Sequence, residues 1–164
     1  MPAESSDVVV NTGPLVALAA CGHIELLHSL HARVIVPAPV VAELEHGRLV
    51  PGSVTVDLPE WIEVLSLQAT PSPLLRAILD DGEAAVISLA AEVGCQLVLI
   101  DERRGRRVAR LAGLEVTGTV GVLLRAKRKG LLATVKPSLE TMRSHGVWIS
   151  NRLVEFTLRE AKEA

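Results

Sequence analysis

The chain has 164 residues, 49% hydrophobic and 22% charged, with a formal net charge of −2. That is the size of one domain with ample apolar material, which excludes a disordered chain and a global basic field for nucleic acid. With two Trp, one Phe and no Tyr, the core must be built of Val, Leu, Ile and Ala, and recognition of single strands by base stacking is disfavoured.

Residues 1–6 read as a flexible start without a basic opening or an apolar signal core. No apolar run is long enough to cross a bilayer, so a soluble, cytoplasmic protein is expected. Val8-Val9-Val10 is an all-apolar strand of the kind buried on both faces of a parallel sheet. Thr12-Gly13-Pro14 breaks it, Pro14 suits a helix's first position, and residues 15–20 follow as helix. After Gly22 comes a short helix over 24–30, then a strand over 34–36 closed by Pro37. Pro39 opens a helix that runs through Glu43 towards Gly47. Residues 47–60 are irregular, 61–67 alternate as an edge strand, and 70–73 form a loop. A helical turn over 74–80 precedes a strong helix over 82–93, stopped by Gly94. Residues 97–100 are the third buried strand, followed by a helix over 102–111, a short strand over 115–117 and a helix over 120–129 capped by Gly130. Two further helices, about 135–145 and 150–162, complete a single α/β domain over 1–164. The β-α-β-α alternation demands a parallel sheet with right-handed crossovers. Cys21 and Cys95 sit in apolar surroundings and read as reduced core residues.

Polar residues stand where strands hand over to helices. Asn11 ends the first strand, and Asp101 follows Leu97-Val98-Leu99-Ile100. Glu43 sits among Val40, Val41 and Leu44, and Glu83 opens the helix after Asp80-Asp81-Gly82. In an open α/β sheet, groups at the carboxyl ends of strands converge on one crevice. Carboxylates gathered there repel each other unless a cation joins them, and oxygen-only ligands suit Mg²⁺ or Mn²⁺. Each residue also has an ordinary structural role. Asp101 suits the N-cap of the helix over 102–111, and Glu83 suits the macrodipole of its own helix. Asn11 suits a turn, and Thr12 could lend its hydroxyl to the same place.

Charge is uneven. Residues 103–110 hold five arginines, of which Arg103, Arg106, Arg107 and Arg110 follow one helical stripe beside Asp101. Gly118-Thr119-Val120-Gly121 opens a helix whose free N–H groups could hold a phosphate, with Thr119 as a plain N-cap the competing role. Metal spacing is absent among the five histidines, apart from a loose His28/His31 pair, and Ser88 lacks a nucleophile-elbow context. Leu15, Leu18, Ile24, Leu27 and Leu30 exceed what one short segment need bury, which suggests a homodimer.

The order and spacing of five segments resemble the PIN-domain nucleases, and more closely their branch of toxins from toxin–antitoxin pairs. The segments are Val8–Leu15, Pro37–Leu44, Gly82–Ala90, Leu99–Arg104 and Gly118–Lys127, within a match over about 8–150. The resemblance implies a three-layer α/β/α fold with a central parallel sheet of four to five strands. It also implies a metal-dependent endoribonuclease with Mg²⁺ or Mn²⁺ held by Asn11, Glu43, Glu83 and Asp101. Thr12, Arg103, Arg106, Arg107 and Thr119 are the expected RNA contacts. A homodimer and a cognate antitoxin protein that blocks the site are implied as partners. The usual residue at the family's first position is Asp, so Asn11 is a departure that removes one negative charge. That departure supports a second reading, a PIN-like scaffold without catalysis that binds RNA or a protein partner.

Overall fold

The computed structural model of the chain describes residues 6–164, so the expected flexible start lies outside the described residues apart from Ser6. Five strands, β1 (Val8–Val10), β2 (Val34–Pro37), β3 (Ile62–Leu65), β4 (Leu97–Leu99) and β5 (Glu115–Thr117), form one sheet. Every pairing is parallel, in the order β3-β2-β1-β4-β5. Nine helices among the described residues flank it. They are α1 (Thr12–Ala20), α2 (Glu25–Leu30), α3 (Ala38–Gly47), α4 (Pro73–Ile78), α5 (Asp81–Val93), α6 (Arg103–Leu111), α7 (Thr119–Arg128), α8 (Lys136–Ser144) and α9 (Asn151–Glu160). The fold is the three-layer α/β/α arrangement expected, with the upper of the two strand counts.

Why these segments take these places follows from their side chains. Val8, Val9 and Val10 are wholly buried, and so are Ile35, Val36, Val98 and Leu99, because central parallel strands are covered on both faces. The edge strand β3 instead alternates, with Ile62 buried and Val64 half exposed. α5 lies against β1, β2 and β4 and touches α3, α4 and α6. Its start is a full capping box: Asp80 Oδ1 accepts from the Glu83 N–H at 2.8 Å, and the Glu83 side chain accepts from the Asp80 N–H. Gly94 ends the helix at φ 70°, a left-handed conformation that favours glycine.

Two expectations change here. α1 begins at Thr12 with Asn11 as its N-cap residue, so Pro14 lies within the first turn rather than at the first position. Leu15, Leu18, Leu27 and Leu30 are each buried in the chain's own core and Ile24 is partly so, which removes the argument for a dimer through these helices. Cys21 and Cys95 are free thiols, as expected.

The strand order turns the C-terminal ends of β1 and β4 into neighbours from which the chain leaves in different directions. β2 and β3 lie on one side of β1, and β4 and β5 on the other. Such a reversal point opens a crevice beyond the carboxyl ends of the strands. Asn11 and Asp101 stand at that point. The last helix is pinned by its end: Lys127 Nζ donates to the Ala161 carbonyl and to Glu163 Oε2 at 2.8 Å, and Glu163 accepts from the Val135 and Lys136 N–H groups. Among the described residues, no helix is long and apolar enough to cross a membrane.

Candidate active site at the carboxyl edge of the sheet

Four elements deliver the four expected ligands to one rim. The Asn11 N–H donates to the Leu99 carbonyl at 3.0 Å, which ties the end of β1 to the end of β4. Asn11 is buried, its side chain makes no cap to α1, and its Oδ1 has no hydrogen-bond partner. Thr12, the first residue of α1, donates its hydroxyl to Glu43 Oε2 on α3. Glu43 in turn lies against the start of α5, where a Cβ on Gly82 would stand 2.6 Å from Glu43 Oε1. Only glycine leaves room for that carboxylate.

Glu83 is buried at 6% exposure. Its Oε1 is used by the capping box, but Oε2 has no partner. A Cβ on Gly105 would fall 2.3 Å from that oxygen and 3.0 Å from Ile100 Cγ2, so α6 and the end of β4 close over Glu83. Burial, and then the adjacent Asp80, raise the Glu83 carboxyl from 4.5 to about 7. Burial and the neighbouring acid therefore oppose the charge on this group. Asp80 and Asp81 are exposed, as expected for the flanking acids.

Asp101 is exposed on the rim and is organised differently from expectation. It does not cap α6, whose N-cap residue is Glu102 with no side-chain cap bond. Instead its two oxygens accept from Thr119: Oδ1 from the N–H at 2.7 Å and Oδ2 from the hydroxyl at 2.6 Å. The partial positive charge of the α7 N-terminus thus faces Asp101. Thr119 is correspondingly not the N-cap of α7, a place held by Gly118, and its donors are occupied by Asp101. Gly118 again is a close approach, since a Cβ there would meet Arg106 Nη1 at 2.8 Å and Asp101 Oδ1 at 2.9 Å.

The arginine stripe divides. Arg106 is half-buried and donates to the Ile100 carbonyl at 2.8 Å, while Arg103, Arg107 and Arg110 are exposed. Gly105 and Ala109 form the buried face of α6. Its small residues let the helix sit close to Glu83 and leave the guanidinium groups of Arg103, Arg107 and Arg110 outside.

Contact by contact, the rim runs from Asn11-Thr12 to Glu43, to Gly82-Glu83, to Gly105 and Ile100, to Asp101 and on to Thr119. None of the three carboxylates is ion-paired among the described residues. The expected tight gathering of all three is not found: among the described residues, no group of three or more His, Cys, Asp or Glu side chains is placed to hold one ion. Mg²⁺ does not require such a cage, because it keeps several waters and takes one or two carboxylates directly. The all-oxygen donor set fits such an ion, and so do the two buried oxygens without partners, Asn11 Oδ1 and Glu83 Oε2.

Composition hides one further feature of this region. Beside Asp101 open two cavities, of about 490 Å³ and about 350 Å³, both bordered by Val120 and Leu153. Trp148 lines the first and Phe156 the second. Counting aromatics gave no sign of this, because position on the surface is set by the packing of α8 and α9.

No curated protein matches the chain. A family model, DUF3368: PIN domain, matches residues 7–163, and the chain therefore belongs to this family of PIN domains, whose fold is that of nucleases.

Proposed function

We propose that the protein is a metal-dependent endoribonuclease that hydrolyses RNA phosphodiesters and acts as the toxin of a toxin–antitoxin pair. The reading is supported by the chain of contacts that sets Asn11, Glu43, Glu83 and Asp101, from four separate elements, along the rim at the β1–β4 reversal, with two of their buried oxygens unpartnered. The toxin role, a homodimer and a cognate antitoxin rest on the sequence resemblance alone.

Asp101, Glu83, Glu43 and Asn11 would supply the ligands for Mg²⁺ or Mn²⁺, one or two carboxylates directly and the others through bound water. Such an ion offsets the charge of a phosphodiester and lowers the pKa of water bound to it. The chain's own residues do the rest. Thr12 fixes the rotamer of Glu43, and Thr119 fixes that of Asp101. Arg103, which lines one cavity with Asp101, and Arg107, exposed on the same helix, attract the phosphate backbone.

Incubating the protein with single-stranded RNA in Mg²⁺, in Mn²⁺ and in EDTA tests the reading. Cleavage with either ion and none in EDTA is expected; absence of cleavage under every condition would overturn it. The second reading, binding without catalysis, is favoured by one residue, Asn11, which supplies an oxygen but no charge. Restoring the charge should therefore matter. Asn11→Asp is expected to tighten Mn²⁺ binding about tenfold, measured by titration calorimetry. Equal affinities would show that the amide already serves as well as a carboxylate.

The glycine cradle gives a separate check. In Gly105→Ala the new methyl displaces the Glu83 carboxylate, while alanine favours the helix by about 1 kcal/mol over glycine. The melting temperature should move little and Mn²⁺ affinity should fall about tenfold. A large loss of stability with unchanged affinity would show that the close contact is packing alone.

A further inference from the structure

Resting on the nuclease reading, we propose that Trp148 and Phe156 are base-stacking platforms flanking Asp101, on which neighbouring bases of the RNA rest. The chain has three aromatic residues of the Phe, Trp and Tyr types. Trp61 is partly buried and stacks on His28, with ring centroids 4.7 Å apart. The other two are on the surface, Trp148 at 86% exposure and Phe156 at 47%, and each lines one of the two cavities that meet at Asp101. A chain so poor in aromatics that leaves two of three in water, beside the same acid, is not using them for its core.

The two cavities have the composition of a nucleotide path. Their volumes lie in the range of small-ligand sites. Each has apolar walls, each shares Asp101, and each holds one arginine, Arg103 in the first and Arg106 in the second. Consecutive nucleotides offer the matching pattern of flat apolar face and anionic link. A duplex does not, since its bases are already stacked. An amphipathic peptide would cover the apolar walls but lacks the regular alternation of flat face and anionic link that the two cavities repeat.

The platforms are also held in place. Arg143 Nη2 donates to Asn151 Oδ1 at 2.9 Å and its Nε donates to the Ile149 carbonyl at 3.2 Å, which fixes the segment that carries Trp148. Ser150 caps α9 by accepting from the Leu153 N–H at 3.1 Å, and the Lys127–Glu163 contact anchors the far end. Preorganised rings lose little freedom on binding.

A Trp61→Phe background leaves Trp148 as the single tryptophan and makes its fluorescence the readout. In EDTA, the protein is titrated with a single-stranded oligoribonucleotide, its abasic ribose-phosphate counterpart, the same sequence as a duplex, and an amphipathic peptide. Quenching by the single strand alone is expected. With binding read instead by the fluorescence anisotropy of end-labelled oligonucleotides, Trp148→Ala and Phe156→Ala should each weaken single-strand binding about tenfold and leave abasic binding unchanged, while Trp148→Phe keeps most of the affinity. In Mg²⁺, the same alanine variants should raise KM for cleavage and leave kcat near its original value. If the wild type cleaves RNA but both alanine variants match it in affinity and KM, the stacking proposal falls and the nuclease reading stands. If RNA is neither bound nor cut, both fall together. Quenching by the peptide and not by RNA would also overturn the proposal.

Discussion

Asp101→Asn is expected to reduce RNA cleavage at least about 100-fold in Mg²⁺ or Mn²⁺, with the fold intact. The substitution removes one negative charge from the reversal point of the sheet and changes little else. Asp101 accepts two hydrogen bonds from Thr119, at 2.7 and 2.6 Å. Asparagine keeps one carbonyl oxygen for the Thr119 N–H, and the hydroxyl of Thr119 can turn to accept from the new amide. The stability loss should therefore be about 1 kcal/mol. Thr119→Val is the complementary variant. It leaves the carboxylate and its charge in place and deletes the hydroxyl that orients it. About 1 kcal/mol of stability should again be lost, but cleavage should fall less than about tenfold. Single-turnover rates and thermal melts on the two variants separate charge from orientation. Wild-type rates in Asp101→Asn would remove Asp101 from the chemistry.

That contrast also marks what the sequence could and could not convey. The strands were legible because Val8-Val9-Val10 and Val98-Leu99 have no polar side and must be covered on both faces. The positions of Asn11 and Asp101 followed, since each comes directly after such a strand. Their bonding did not follow. Asp101 looked like the cap of the helix it precedes, yet it holds the start of α7, a partner 18 residues away. Local spacing carries no information on a contact between loops brought together by sheet order. The same holds for Gly82 and Gly118, each read only as part of a helix start, and for Gly105, which drew no reading. Their use is the close approach of Glu43, Glu83 and Asp101, which appears only when the helices are packed. Helix ends were less legible than helix existence: α1 starts at Thr12, ahead of Pro14, because the Asn11 backbone turns out of β1 in an extended conformation suited to an N-cap. The apolar face of α1 and α2 invited a dimer, but a sequence does not say whether a hydrophobic residue is covered by its own chain. Conversely, a count of aromatics could not show that α8 and α9 leave Trp148 and Phe156 outside.

Two buried groups should tilt the pH dependence of stability in opposite directions, and separating them is the second large effect. His31 is buried, and burial followed by the charge of Arg125 lowers its pKa from 6.5 to about 4. Between pH 4 and 6.5 the unfolded chain therefore carries a proton on this residue that the folded chain does not. Stability rises with pH across that window, by about 3 kcal/mol in all. Glu83 is the reverse case. Its pKa is raised from 4.5 to about 7, so between those values the folded chain holds the extra proton and stability falls as pH rises, again by about 3 kcal/mol. In EDTA the two slopes should nearly cancel between pH 4.5 and 6.5, giving the wild type a flat profile. Glu83→Gln keeps the side-chain oxygen that accepts from Asp80 and removes the charge, so its stability should climb through the window and exceed the wild type above pH 7. His31→Gln should do the opposite and lose stability towards neutral pH. Urea melts of the three proteins at pH 4.5, 5.5, 6.5 and 7.5 read the slopes directly, and parallel curves would refute the assignment. The Glu83 limb has a functional consequence. A residue that must be ionised to hold a cation is protonated in the folded chain below pH 7, so Mn²⁺ binding should weaken about tenfold for each pH unit below that point. Glu83→Gln should show weak binding at every pH. The substitution that most stabilises the empty fold at neutral pH is thus the one expected to disable it, because the charge that strains the fold is the charge the ion would require.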